Sequence, residues 1–181
     1  MINKSKLRDK RFWEKWKKSG AVGGTGTALD RKLKAYDCEG QSLEGIDEAL
    51  KKGYILRAFL SGGGLRVIRI EDGHNGPLKG YGEHPNLKPA LRRASKDYLS
   101  GGKPYECVYL TGTTQTEDNL DLWVKVGRKL WAEKKGEEIH LEARAWNYKP
   151  VISATGETFE KAYKTLNEMV TEEVFKQARV L

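Results

Sequence analysis

The sequence predicts an α+β fold, a mainly antiparallel sheet with helices packed on one of its faces. Two runs rich in β-branched and aromatic residues, 54–60 and 65–70, flank the Gly-rich connection Ser61–Gly64, a pattern typical of a hairpin. Residues 137–146 alternate apolar and polar side chains, as a strand with one wet face does. Hairpin connections of this kind favour antiparallel pairing, because parallel strands need long crossovers.

Charge divides the 181 residues into a basic aromatic arm (1–19), a Gly-rich linker (20–35) and an α+β body (36–181). Residues 1–35 contain eleven Lys and Arg and three acidic residues, and they therefore carry the whole net charge of +8. The rest of the chain has equal numbers of basic and acidic residues. We therefore expect an anionic partner to be attracted to the arm and not to the body.

The arm is predicted to be helical from Lys4 to Lys18, with aromatic side chains among the cations. Phe12 and Trp16 are four residues apart and share a helix face, which should be covered either by the body or by a partner. The predicted nucleic-acid or partner-binding residues are Lys4, Lys6, Arg8, Lys10, Arg11, Phe12, Trp13, Lys15, Trp16, Lys17 and Lys18.

The stretch Gly20–Thr27 has the composition of a flexible linker. Its glycines suggest a phosphate-binding loop, but no Gly-Lys-Ser/Thr follows and no strand precedes them. We therefore expect this stretch to separate the arm from the body.

A short helix is predicted to follow Ser42, which can cap it, and to end at Gly53. The hairpin comes next, and Lys79–Glu83 is predicted to be a third strand. A helix over 87–99 is indicated by apolar residues at spacings of four, three and four: Leu87, Leu91, Ala94 and Tyr98. Tyr105–Thr111 alternates as a further strand does.

Asn119–Lys135 fits two structures. One is a helix, which we predict, with this apolar set at helical spacing: Leu120, Trp123, Val124, Gly127, Leu130 and Trp131. The other is a pair of strands through 122–126 and 129–133 with a bend at Gly127, and two valines and the internal glycine weaken the helix against it.

The last third of the body is predicted to hold a strand over 137–146, a short strand over 151–154 and a helix over 157–178 capped by Thr155. The apolar stripe of this helix consists of Phe159, Ala162, Tyr163, Leu166, Met169, Val170 and Val174.

The segments 42–100 and 117–175 end alike, which predicts a duplicated helix–strand–strand–helix unit. Each has a strand, a Gly-Glu corner at 82–83 or 156–157, and a helix, and each contains Lys-Lys-Gly at 51–53 or 134–136, where we place a helix end. The strand–Gly-Glu–helix ending resembles the ββα end of double-stranded-RNA-binding domains and of small antitoxin domains. Neither second helix opens with the Lys-rich, Ala-rich start that a double-stranded-RNA binder needs for its phosphate contacts.

No residues form a catalytic motif. Glu83 and His84 are the best acid–base candidates, but adjacent residues of an extended segment point to opposite sides, and His84 before Pro85 is typical of a loop. Cys107 with His140 is a second pair, which no spacing supports. We expect a non-enzymatic protein with no cofactor and no metal site.

Nucleic acid is the leading hypothesis for the partner, because cations neutralise phosphates and Phe or Trp rings stack on exposed bases. Arg57, Arg66 and Arg69 of the hairpin would extend this surface weakly. The alternative is a protein-interaction or assembly module whose aromatic arm docks on a protein partner or on a neighbouring subunit of a homo-oligomer.

Two further expectations concern the setting of the protein. The sequence has no run of 18 apolar residues, so we expect no membrane span. Cys38 and Cys107 are the only cysteines and form no disulfide framework, which favours the cytoplasm.

Overall fold

A computed structural model describes residues 43–101 and 118–178. The predicted arm, the linker, Ser42, the strand over 105–111 and both cysteines lie outside the described residues. The elements are α1 (Glu44–Lys51), β1 (Ile55–Leu60), β2 (Arg66–Glu71), β3 (Leu78–His84), α2 (Leu87–Leu99), α3 (Asn119–Lys125), β4 (Lys129–Lys135), β5 (Glu138–Arg144), β6 (Pro150–Gly156), α4 (Phe159–Met169) and α5 (Glu172–Gln177).

The strands form one sheet in the order β3-β2-β1-β4-β5-β6, and every neighbouring pair is antiparallel. The helices pack on it, so the predicted α+β class is confirmed. Among the described residues, no helix is long and apolar enough to cross a membrane.

The side of the sheet that faces the helices carries the core. Strand alternation puts every second side chain there, and those side chains are almost fully buried. On the four central strands they are Leu56, Ala58, Ile68, Ile70, Leu130, Ala132, Leu141 and Ala143.

Helix α2 lies directly on β3, as the apolar spacing of 87–99 predicted. The contact is so close that a Cβ on Gly82 would collide with the carbonyl oxygen of Ala90. Glycine is required at this strand position because the helix backbone occupies the space of a side chain.

Trp123 anchors α3 and the end of the chain to the second half of the sheet. Its ring is fully buried, and its Nε1 donates to the carbonyls of Lys129 (3.1 Å) and Arg144 (3.2 Å). The Phe175 ring meets it edge to face at 5.2 Å, and the Arg128 guanidinium, which donates to the Phe175 carbonyl, lies over its face. Helix α5 therefore packs against the buried Trp123 indole through Phe175.

The predicted helix over 119–135 is right for its first half and wrong for its second. Helix α3 ends at Lys125, Gly127 takes a φ of +87°, and β4 begins at Lys129. The two-strand alternative is likewise wrong for 122–126 and right for 129–133. Leu130 and Trp131 happen to continue the helical spacing, but in β4 they point to opposite faces of the sheet.

The predicted helix over 157–178 is wrong in its continuity, because it breaks at Val170 and Thr171 between α4 and α5. The N-cap prediction is also wrong, since Thr155 belongs to β6 and Thr158 caps α4 by accepting from the Lys161 N–H. Met169 is exposed and leaves the predicted stripe. In α1, the first described helix, Leu43 occupies the N-cap position and no side chain caps the helix start.

Both halves of the described chain have the order helix, three strands, helix. The β1–β4 pairing is centred on Arg57 opposite Trp131, with Leu56 opposite Ala132 and Ala58 opposite Leu130. One anchor of the predicted duplication is wrong, because Lys134 and Lys135 end strand β4 and Gly136 begins the β4–β5 turn, so no helix ends there. The duplication itself stays a prediction.

We expect Leu91→Ala to lower the free energy of unfolding by about 2–5 kcal/mol, because the Leu91 side chain is only 1% exposed in the packed face of α2. Leu99→Ala in the same helix is the matched control and should cost less than about 0.5 kcal/mol, because Leu99 is 52% exposed. Urea denaturation of both variants measures the difference. Equal effects would mean that this face of α2 is assigned wrongly.

Candidate functional site

A buried polar cluster on the helix side is centred on Asp121. The Arg66 guanidinium donates two hydrogen bonds to the Asp121 carboxylate. Nε lies 2.8 Å from one oxygen, and a terminal nitrogen lies 3.1 Å from the other. The same carboxylate accepts the Leu87 N–H at 3.0 Å, which caps α2. All three residues are buried. Asp121, which belongs to the second half, therefore completes a buried ion pair with the first half and caps its helix α2.

A reciprocal bond joins the halves in the other direction. Asp47 of α1 accepts the Phe159 N–H at 2.6 Å and so caps α4. The first helix of each half thus caps the second helix of the other half. Both carboxylates are thus engaged in bonds between the two halves.

His84 is buried at the end of β3, not in a loop as predicted. Burial lowers its pKa to about 3, and the nearby charges of Arg93 and Arg66 add to this effect. Nδ1 accepts the Asn86 N–H at 2.9 Å, so in the neutral ring the proton is on Nε2. At neutral pH this histidine is an uncharged structural acceptor.

Asp118 organises a second polar group between α3 and α4. It caps α3 by accepting the Asp121 N–H at 2.9 Å, accepts the Tyr163 hydroxyl at about 3 Å, and lies 3.1 Å from Lys88 Nζ. Burial raises the Tyr163 pKa well above its ordinary value, and the Asp118 carboxylate adds to the effect. Tyr163 is therefore a protonated donor and not a base.

A pocket of about 330 Å³ opens beside this group between α2 and α4. Its walls mix cations and carboxylates over an apolar floor, and the lining residues are Leu43, Lys88, Leu91, Arg92, Asp118, Glu160, Tyr163, Lys164 and Asn167. No nucleophile with an adjacent base is among these residues. The pocket has the size of a small-ligand site but no catalytic pair.

The other face of the sheet carries ion pairs. Glu71 is fully buried and binds both Arg57 (2.6 Å) and Arg69 (2.8 Å). Since Arg66 is bound to Asp121, each of the three hairpin arginines has a carboxylate partner, but Arg57 and Arg69 share one and the Arg69 side chain stays 38% exposed. Their predicted role in extending a phosphate-binding surface stays a prediction, which the burial of Arg66 disfavours.

Glu133, His140 and Glu142 come close enough to hold a metal ion, with one ligand atom of each within 4.8 Å of the others. Lys135 Nζ already lies between them, 3.0 Å from Glu133, 3.1 Å from His140 Nδ1 and 3.5 Å from Glu142. Arg144 binds the second oxygen of Glu142. A lysine ammonium thus occupies the position of the cation, and the geometry favours an ion-pair network over a metal site.

The predicted site residues are not brought together by the described part of the chain. The binding residues between Lys4 and Lys18 lie outside it. Glu83 and His84 lie on opposite faces of β3, and Glu83 accepts the Tyr81 hydroxyl at 2.8 Å. Cys107 is outside the described residues, so its pairing with His140 stays untested.

Sequence reasoning missed two features. Nothing local links Arg66 to Asp121, because 55 residues separate them. The second feature is the exposure of Trp146 and Tyr148 on the β5–β6 turn. The sequence could have indicated it, because two large aromatic residues stand in a segment predicted to be a turn.

No protein-family model, no curated protein and no solved structure matches this chain.

We expect Asp121→Ala to cost about 3–5 kcal/mol of stability, because it leaves the buried Arg66 guanidinium without its counter-ion. Asp47→Ala removes the reciprocal cap without stranding a buried charge and should cost about 0.5–2 kcal/mol. Chemical denaturation compares the two. Equal costs would show that the ion pair adds nothing to the cap.

Acid should destabilise the protein through His84. The unfolded chain takes up a proton on His84 below about pH 6.5, whereas the folded protein does so only near pH 3, so stability falls as the pH is lowered across this range. His84→Asn keeps an acceptor for the Asn86 N–H and does not titrate. Between pH 6 and pH 4 the wild type should lose about 2 kcal/mol more than this variant in urea melts. Parallel pH profiles would contradict the buried neutral histidine.

Proposed function

We propose that this protein is a non-enzymatic binding protein that contacts nucleic acid through its N-terminal arm, residues 1–19. The observation that carries the proposal is the charge distribution: residues 1–35 hold the whole net charge of +8, and the rest is neutral. Cations that neutralise phosphates release counterions from the nucleic acid, and this release drives binding.

The aromatic residues of the arm make single strands the preferred target. Phe12, Trp13 and Trp16 stand among eight Lys and Arg in the first 18 residues. Aromatic rings stack on bases that are not paired in a duplex, while the surrounding cations follow the phosphates.

The ion pairs of the body support the proposal that binding is a property of the arm. Arg57 and Arg66 are largely buried and bound to Glu71 and Asp121, so they offer little to a phosphate, and Arg69 shares Glu71 with Arg57. In the described residues, the polar clusters around Asp121, Asp118 and Glu142 are closed by internal bonds and present no nucleophile beside a base. These observations favour a scaffold that carries a binding arm.

A protein-interaction or assembly module is the second candidate, favoured by the density of aromatics in the arm. Docking of Trp13 and Trp16 in the groove of a partner or a neighbouring subunit buries apolar area and depends little on salt. Phosphate binding falls steeply with salt, and this difference separates the two candidates.

We also propose a cytoplasmic setting, supported by two isolated cysteines, and an origin of the two halves by duplication. The shared element order and the symmetric β1–β4 register support the second proposal.

We expect deletion of residues 1–19 to leave the body folded and to abolish binding of a fluorescent single-stranded 20-mer. For the full chain, the slope of log K against log salt should be about −3 to −6, since each single-strand phosphate contact contributes about −0.7. Changing Lys15, Lys17 and Lys18 to Gln should reduce the slope by about 2. Fluorescence anisotropy at several salt concentrations gives both values.

The matched control changes three exposed lysines of the body, Lys51, Lys161 and Lys176, to Gln and should leave the slope unchanged. An unchanged slope after deletion of 1–19 would remove the nucleic-acid proposal. A deletion that unfolds the body would show that the arm aromatics belong to the core.

A further inference from the structure

The β5–β6 turn presents two aromatic rings to solvent. Trp146 is 67% exposed and Tyr148 is 44% exposed, whereas the other tryptophans of the described residues, Trp123 and Trp131, are buried. An indole at the tip of a tight turn covers no part of this protein's own core. Such a ring is either idle or a contact for a partner.

The backbone of the turn is unusual at Tyr148. Its φ is +67°, and every other positive φ in the described residues belongs to Gly or to Asn75. The turn is closed by Tyr148 N–H to the Ala145 carbonyl (3.0 Å) and by Ala145 N–H to the Lys149 carbonyl (2.8 Å). A bulky side chain is disfavoured in the left-handed region, so the turn itself gives no reason for tyrosine here.

Two lysines make the tip positive. Lys129 Nζ lies 3.3 Å from the centre of the Tyr148 ring and donates to the Trp146 carbonyl at 3.1 Å. Lys149 is exposed beside them. Within the described part of the chain, neither lysine is paired with a carboxylate, in contrast to the arginines of the sheet. The tip therefore joins exposed rings to uncompensated positive charge.

We propose that this tip, formed by Lys129, Trp146, Tyr148 and Lys149, is a second contact site for single-stranded nucleic acid. Trp146 stacks on an unpaired base, and Lys149 and Lys129 contact the flanking phosphates. Tyr148, held under Lys129, forms the wall beside the base. The inference rests on the proposed function, because it adds a base-stacking site on the body to the arm.

The test is binding of a fluorescent single-stranded 20-mer to full-length variants. Trp146→Ala should weaken binding by about 5- to 100-fold, as loss of one stacked base does. Trp146→Phe should retain most of the affinity, because phenylalanine also stacks. Lys149→Gln should reduce the salt slope by about 0.7. Leu99→Ala removes another exposed apolar side chain, from α2, and is the matched control, with unchanged binding.

The outcomes separate the two proposals. If Trp146→Ala binds as the wild type does while deletion of 1–19 abolishes binding, the tip site is overturned and the arm stands. If the deletion has no effect while Trp146→Ala weakens binding, the tip stands and the arm is overturned. Absence of binding by the wild type overturns both. Weaker binding of Trp146→Ala together with a change from dimer to monomer in sedimentation would make the tip a self-association surface and overturn the inference.

Discussion

The antiparallel pairing of β1 with β4 is the contact on which the rest of the described structure depends. It turns two three-stranded units into one six-stranded sheet, and it brings the first helix of each half to the second helix of the other. Asp121 then caps α2 at Leu87, and Asp47 caps α4 at Phe159. Neither half can satisfy its own helix start by these bonds, so the halves are joined both by the sheet and by the caps.

These bonds between the halves account for buried carboxylates of the body. A carboxylate that binds Arg66 and caps a helix is fully engaged, and so is the Asp118 carboxylate, which binds Tyr163 and Lys88. Clusters of buried charged and polar side chains of this kind resemble active sites. Their partners show that they hold the two halves together, since Asp121 binds Arg66 and Leu87, and Asp118 binds Lys88.

The two surfaces that we propose for nucleic acid share one chemistry, aromatic residues next to an excess of cations. In the arm this is evident from composition, with Trp13 and Trp16 among the lysines. In the described part of the body we find it at the β5–β6 tip, whereas the sheet arginines have Glu71 and Glu142 as partners. Positive charge attracts a polyanion most strongly where it is not compensated nearby, which is why we propose the tip and not the sheet arginines as the contact.

The sequence by itself determined the α+β class, the β1–β2 hairpin, β5 and α2, because each is encoded in a local period of two or 3.6 residues. Only the tertiary structure decided the segment 119–135, where Leu130 and Trp131 fit a helix locally, and β4 forms because β1 and β5 pair with it. It also decided the bonds of Asp121 with Arg66 and of Asp47 with Phe159, which are 55 and 112 residues apart. Partners so distant in sequence leave no periodic signal, and their meeting depends on how the two halves pair.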